Sequence, residues 1–397
     1  MARPRFILPI LLSLSAPGAL LACNDQEDST AIESGGGALQ SAEPPLANNQ
    51  LDASAIADLE QRAERLVAAG VPGVSVAVLS GDQVVLIARG VADRATGEPM
   101  TAEHRFRVAS ISKSLVASVV LQLVEEGKIA LGDSLDSWLP GMLPQSASVK
   151  IENLLRLESG IFNFEEDERH MAPYYAGDFE YSWSPEGLVA LAAEHPSSFE
   201  PGTQFYYSNT NYTPARAHHP EDRRRFTGER GAPAHHGAAG YASQQHAIDS
   251  ELEAPYARGY MLGLGDEPVD VTRISASSVF GNGNLVSTAR DVAAFYGALA
   301  RGEVVGPDQL PAMLRTNPDV DTHYGMGVWR WDHVFPPCGN FVGHDGGAPG
   351  YDVTAYSNLE GTRQYAVLTN QLAPGDVVGD EVARKAFGEL VGAAACD

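Results

Sequence analysis

Ser110 and Lys113 stand three residues apart in the segment Phe106-Arg107-Val108-Ala109-Ser110-Ile111-Ser112-Lys113. On a helix, positions i and i+3 lie on one face, so the amine of Lys113 can reach the hydroxyl of Ser110. A serine hydroxyl is a poor nucleophile until a neighbouring base takes its proton. At a helix start its own backbone N–H also points toward the substrate oxygen that becomes negative during acyl transfer. The same residues also read as a helix cap followed by a surface lysine, and average composition yields about one S-x-x-K match in a chain of this length. Two further clusters follow: Tyr207-Ser208-Asn209, inside Pro201-Gly202-Thr203-Gln204-Phe205-Tyr206-Tyr207-Ser208-Asn209-Thr210-Asn211-Tyr212, and Gly343-His344-Asp345-Gly346-Gly347 after an apolar strand. Taken singly, Tyr207 fits a packed aromatic beside Tyr206, and His344 a satisfied strand histidine. The conjunction with S-x-x-K decides.

In this order the three clusters resemble the serine β-lactamase and penicillin-binding protein superfamily, in its branch with Y-x-N and H-x-G. That branch holds class C β-lactamases, D-alanyl-D-alanine carboxypeptidases and related esterases. The stretches Leu154-Leu155-Arg156-Leu157-Glu158-Ser159-Gly160-Ile161, Gly281-Asn282-Gly283-Asn284-Leu285-Val286-Ser287-Thr288 and Tyr324-Gly325-Met326-Gly327 fit it too, and the resemblance covers about residues 55 to 395. It implies an α+β fold, an antiparallel sheet flanked by helices plus a helical region, with the active site between them. It makes Ser110 the acylated nucleophile and Lys113 its activator, with Tyr207 sharing the general-base role. Asn209 would orient the substrate amide and touch Lys113. His344 would donate to Tyr207 or to a substrate carboxylate, and the backbone N–H groups of Ser110 and Gly347, next to Gly346, would form the oxyanion hole. The implied reaction is acyl transfer on a peptidoglycan-type peptide ending in D-alanine or on a β-lactam. An esterase of the same fold, acting on a small ester, and a catalytically impaired penicillin-binding sensor remain as alternatives. Neither cofactor nor metal is implied, and oligomeric state is not legible.

The elements that must position these residues can be read from hydrophobic pattern. A helical pattern runs from Ala55 to Ala69 with Ser54 placed to cap it. Gly73–Leu79 and Gln83–Ala88 are β-rich runs joined by Ser80-Gly81-Asp82, a hairpin signal. Residues 111–126 are apolar at helical spacing and stop at Gly127. Strands are expected at Phe341–Gly343, Asp352–Tyr356 and Gln364–Thr369, with a last helix over about 379–391. Strands at both termini with helices between them predict one sheet built from the two chain ends.

The chain has 397 residues, 44% hydrophobic and 20% charged, which permits one large core. Lys plus Arg number 27 against 51 Asp plus Glu, a formal net charge of −24 that argues against a nucleic-acid partner. Residues 1–22 read as a lipoprotein-type signal peptide: Arg3 and Arg5, an apolar stretch broken by Pro9, Pro17 and Gly18, then Leu20-Leu21-Ala22-Cys23. Cys23 is the expected lipidation site, which places the protein on the periplasmic face of a bacterial membrane, held only through a lipid anchor, or secreted. Residues 23–50, acidic and rich in Ser, Gly, Ala and Pro, read as a flexible tether to a hydrolase domain over 51–397. Two cysteines remain, Cys338 and Cys396, an even pair and the expected disulfide of an oxidising compartment.

One stretch departs from the family pattern. Residues 213–248 hold no Leu, Val or Met, five of the 11 histidines, and five arginines against Glu221, Asp222 and Glu229. Such composition supplies no buried stripe, so an irregular, exposed segment is expected. A one-base shift across the Thr213 to His219 codons would permit Leu-Leu-Leu-Gly-Leu-Ile-Ile, the apolar helix start the family carries there. The expectation is a local frameshift, restored before about Asp249; the alternatives are a genuine disordered insertion and, less favoured, a metal site at His218-His219 and His235-His236.

Overall fold

The computed structural model describes residues 50–217, 245–246, 251–263, 267–320, 322–332, 338–373 and 378–396. The signal segment with Cys23, nearly all of the tether, and most of 213–248 lie outside the described residues.

Helix α1 (Ala53–Ala68) opens the fold and is capped by Asp52, whose side chain accepts from the N–H groups of Ser54 and Ala55. The cap thus falls two residues before Ser54; both are good capping types, and the carboxylate takes two orphan donors at once. Next come β1 (Gly73–Ser80) and β2 (Gln83–Asp93), with Ser80 paired to Gln83 around a two-residue turn. Gly81 takes φ 57°, the left-handed conformation such a turn requires. β3 (Glu98–Pro99), β4 (Trp329–Asp332), β5 (Asn340–Ala348), β6 (Tyr351–Asn358) and β7 (Arg363–Thr369) complete a seven-stranded sheet in the order β3-β2-β1-β7-β6-β5-β4. Its interstrand pairings are antiparallel. Val76 sits between Ile87 and Val367, so the sheet is closed by the two ends of the chain.

Adjacent residues of β7 show what covers each face. The Arg363 guanidinium donates to the Ala394 carbonyl of α5 (Glu381–Cys396), 3.0 Å away, whereas Gln364 lies against Gly297 of α4 (Ala289–Ala300). Helices α1 and α5 therefore share one face, and α4 the other. Along with α4 lies α2 (Ile111–Glu125), buried on nearly every side. α2 ends at Glu126 and Gly127, the latter at φ 67°. It joins the sheet to a helical half that includes Ile151–Leu155, Glu168–Tyr175, Pro185–Ala193 and α3 (Tyr212–Ala217). The architecture is α+β.

The ends of the 213–248 stretch differ from the irregularity its composition predicts. Thr213 to Ala217 continue α3, with Thr213, Pro214 and Ala215 buried, and Gln245–His246 pair with Leu285–Val286. Tyr212, fully buried, supplies the anchoring surface that the missing aliphatics would have given, and proline is tolerated in a first helical turn.

Cys338 and Cys396 are joined in a disulfide closing a separation of 58 residues. It ties the end of α5 to the residues leading into β5. Cys338→Ser is expected to lower stability by about 2–4 kcal/mol through the freed unfolded chain, while turnover of the folded protein is kept. Urea midpoints of the oxidised and variant proteins check this.

Candidate active site

Ala109 lies at φ 46°, in the left-handed region that residues with a Cβ avoid. This strained turn delivers Ser110 to the first turn of α2, half-buried, with its backbone N–H lacking an acceptor among the described residues. Glycine at 346 makes the turn possible, since a Cβ there would meet Ser110 N and Val108 O at 2.9 Å. Strand β5 thus passes directly against the Ser110 turn. Gly347 follows on its exposed margin.

One helical turn on, Lys113 Nζ donates to Ser110 Oγ (2.9 Å) and to the carbonyl of Asn282 (3.2 Å). Lys113 is fully buried, and loss of water pushes its pKa down to about 7, while the charge of Glu165 pulls it partly back. An amine so held loses its proton near neutrality. As the free base it can keep Asn282 O as acceptor while its lone pair faces Ser110 Oγ. The Tyr207 ring centroid lies 4.8 Å from Lys113 Nζ and that of Tyr212 5.8 Å.

His344 sits on β5 beside these groups. Its ring is 6.3 Å from that of Tyr207, tilted by 59°. Nδ1 is 2.5 Å from the Asp345 carbonyl, and Nε2 is 3.1 Å from the hydroxyl of Tyr324. Burial, with the charge of Lys113, drives the imidazole pKa down to about 3, so the ring is neutral. Of the two roles expected for His344, donation to Tyr207 is not seen among the described residues: the histidine is engaged by Tyr324 and by its own strand.

Asn209 is corrected in part as well. It is buried at the head of the single turn Asn209–Asn211, its N–H donating to Asn163 Oδ1 (3.1 Å). Lys113 meets Asn282 O where the pattern predicted Asn209, and the side-chain oxygen of Asn209 has no hydrogen-bond partner among the described residues. A buried carbonyl of that kind is suited to a substrate N–H. The turn is laced to the 159–164 loop by Ser159 Oγ donating to Asn211 Oδ1 (2.5 Å) and Thr210 Oγ1 donating to Phe162 O (2.7 Å).

Ser110, Lys113, Tyr207, His344 and Gly346 are therefore brought together, with Asn209 lining the same region. Sequence reasoning missed Tyr324, quoted only as family context, and the Asn282 carbonyl, which as a backbone atom leaves no mark in residue type. It also passed over Glu165. The arrangement can do acyl transfer: a nucleophile, a buried base in contact with it, and a free N–H at the head of a helix.

Comparisons with known proteins agree. The beta-lactamase family model matches residues 59–388. Esterase EstB of Burkholderia gladioli is 34% identical over 167 residues, which is 39% of this chain and 41% of the esterase, so the match spans less than half of that relative. Among solved structures, D-amino acid amidase from Ochrobactrum anthropi SV3 is 25% identical with a TM-score of 0.72, covering 86% of this chain and 97% of that one. A D-stereospecific amidohydrolase from Streptomyces sp. is 26% identical with a TM-score of 0.69, covering 85% and 98%. The chain belongs to the beta-lactamase family and is a serine hydrolase of that fold.

Proposed function

We propose that the chain cleaves an amide or ester by way of an acyl-enzyme on Ser110, and that the substrate is an amino-acid amide, a short peptide or a small ester without a free carboxylate at the scissile end. The contact of 2.9 Å between Ser110 Oγ and a Lys113 amine held near neutrality carries the reading.

Neutral Lys113 takes the Ser110 proton as Oγ attacks the substrate carbonyl. The oxygen of the tetrahedral intermediate gains its negative charge against the Ser110 N–H, with the Gly347 N–H as the second donor. The proton passes through Lys113 and Tyr207 to the departing amine or alcohol, leaving the acyl group on Ser110. Water then attacks that ester; the same groups remove its proton and return one to Ser110 Oγ. Asn209 accepts from an N–H on the acyl side.

Substrate class follows from His344. A C-terminal D-alanine, or the carboxylate of a β-lactam, calls for a cation or a free donor at this point of β5. The imidazole there is neutral, and both its nitrogens are engaged. The names of the amidase, the amidohydrolase and the esterase point the same way. Peptides ending in D-alanyl-D-alanine and β-lactams rank below these substrates.

The signal ending at Cys23 and the Cys338–Cys396 disulfide support an exported, lipid-anchored enzyme. Turnover of a D-amino acid p-nitroanilide, a p-nitrophenyl ester, an acylated D-alanyl-D-alanine peptide and a chromogenic cephalosporin tests the reading. The first two are expected to exceed the last two in kcat/KM by about ten-fold or more, the scale of a lost charged contact. The opposite ranking would establish the carboxypeptidase reading, and no turnover of any would establish a binding or sensor role.

A further inference from the structure

Tyr324 is fully buried, and its ring meets almost every group on the sheet side of the site. It stands edge-on to His344 (5.6 Å, 89°), to Tyr207 (6.3 Å, 77°) and to Trp329 (4.8 Å, 81°). The loop that carries it is clamped onto α2. A Cβ at Gly327 would lie 2.7 Å from Lys113 O, and Ser114 Oγ donates to Gly327 O (2.5 Å). The residue that touches His344 is thereby fixed to the helix that carries Ser110 and Lys113.

Proton positions follow from what each partner can do. A carbonyl only accepts, so His344 Nδ1 carries the proton that meets Asp345 O at 2.5 Å. The neutral ring holds one proton, so Nε2 offers a lone pair and Tyr324 Oη, 3.1 Å away, must donate to it. Tyr212 gives its own proton to the Leu155 carbonyl (2.6 Å), so it has none to give Tyr324, whose single hydroxyl proton goes to Nε2. Burial drives ionisation of the Tyr324 phenol well above its ordinary range, so the donor persists wherever the protein is folded.

We propose that Tyr324 is a positioning residue: by giving its hydroxyl proton to His344 Nε2 it holds the neutral imidazole in one orientation, so that Tyr207 meets no competing proton from that side. This rests on the proposed roles of Ser110, Lys113 and Tyr207. Among the described residues, the titratable groups around the His344 ring are Lys113 on α2, Tyr207 ahead of α3, and Tyr324; the Asp345 carboxylate lies on the opposite face of β5, held by Thr354 and Tyr356 at 2.6 Å each. Of these only Lys113 carries a cation near His344, and it opposes a second proton on the ring.

In Tyr324→Phe the Nε2 lone pair loses its donor, and the neutral imidazole loses the contact that fixes its orientation. The expected loss in kcat is about 10–100-fold, the usual cost of removing a group that orients a site residue, with KM little changed. In a His344→Gln background the same change should cost less than about two-fold, because the residue it acts through is gone. Nitrogen NMR of histidine-labelled protein reads the ring directly and needs no turnover: wild-type His344 should show a protonated Nδ1 and a bare Nε2. A proton on Nε2 in the wild type, an unchanged His344 Nε2 shift in Tyr324→Phe, or an equal loss of kcat in both backgrounds overturns the proposal. If instead Ser110→Ala retains full activity, the reaction has been misread while the tautomer result stands.

Discussion

Ser110→Ala is expected to remove turnover almost entirely, by about 10⁴- to 10⁶-fold, and to abolish the covalent adduct left by a fluorophosphonate or a slowly released acylating agent. The substitution changes little else. Ser110 makes no side-chain capping bond to α2, and Lys113 Nζ keeps the Asn282 carbonyl as a partner. Neighbouring hydroxyls cannot substitute for it. Ser112 Oγ accepts from Leu285 N–H at 3.0 Å, while Ser114 Oγ is held between Gly327 O and Tyr296 Oη, at 2.5 and 2.8 Å. Both are buried, and neither follows the strained turn at Ala109 that presents Ser110. Intact-protein mass spectrometry decides: an adduct surviving in Ser110→Ala, mapped to any other serine, would remove the nucleophile assignment and with it the proposed reaction.

The parts of this site that were legible in the sequence are those fixed by local geometry. Three residues along a helix is a distance, and Ser110 and Lys113 meet at 2.9 Å because of it. The sheet from two chain ends was legible because β1 and β7 are short, valine-bearing runs that bury on both faces. β5 was read as ending at Gly343, yet it continues to Ala348, because β6 supplies a partner at every step and glycine is needed where the strand meets Ser110. Tyr324 was not legible as a partner of His344. Its role depends on a loop folding back onto α2, and no spacing in the chain encodes that approach. The His344 hydrogen bonds were misassigned for a related reason: motif position says which residue stands there, whereas proton direction depends on a carbonyl and a phenol brought in by tertiary packing. At α3, composition misled because one buried aromatic, Tyr212, was enough to hold a short turn that the following residues could not have held alone.

Lys113→Met is expected to move activity and stability in opposite directions. Removing the base costs about 10²–10⁴-fold in acylation, the range for a positioned proton acceptor. It should also remove the pH dependence that the lysine imposes. In the wild type the amine must be neutral to accept the Ser110 proton, so kcat/KM rises with pH through about 7, where the buried ammonium gives up its charge. Stability has its own window. The folded lysine titrates near 7 and the unfolded one near 10.4, so between those values the unfolded chain binds more protons and wild-type stability rises with pH. Below about 7 both states are charged and the cost of burying the ammonium is felt in full. Met has a similar volume and no charge, so the gain from Lys113→Met should be largest at or below neutrality and shrink toward pH 10.4. Exchanging a buried charged group for an apolar one is worth on the order of 1–4 kcal/mol. Against it stands the Asn282 carbonyl, left without its donor at about 1–3 kcal/mol, so a net stabilisation requires the ammonium's burial cost to stand at the upper end of its range. Thermal unfolding at pH 6 and pH 9, beside acylation rates at the same values, tests both halves. A variant that is less stable at pH 6 than the wild type would mean that the lysine is structural, and one with near-normal acylation would mean that another group takes the Ser110 proton.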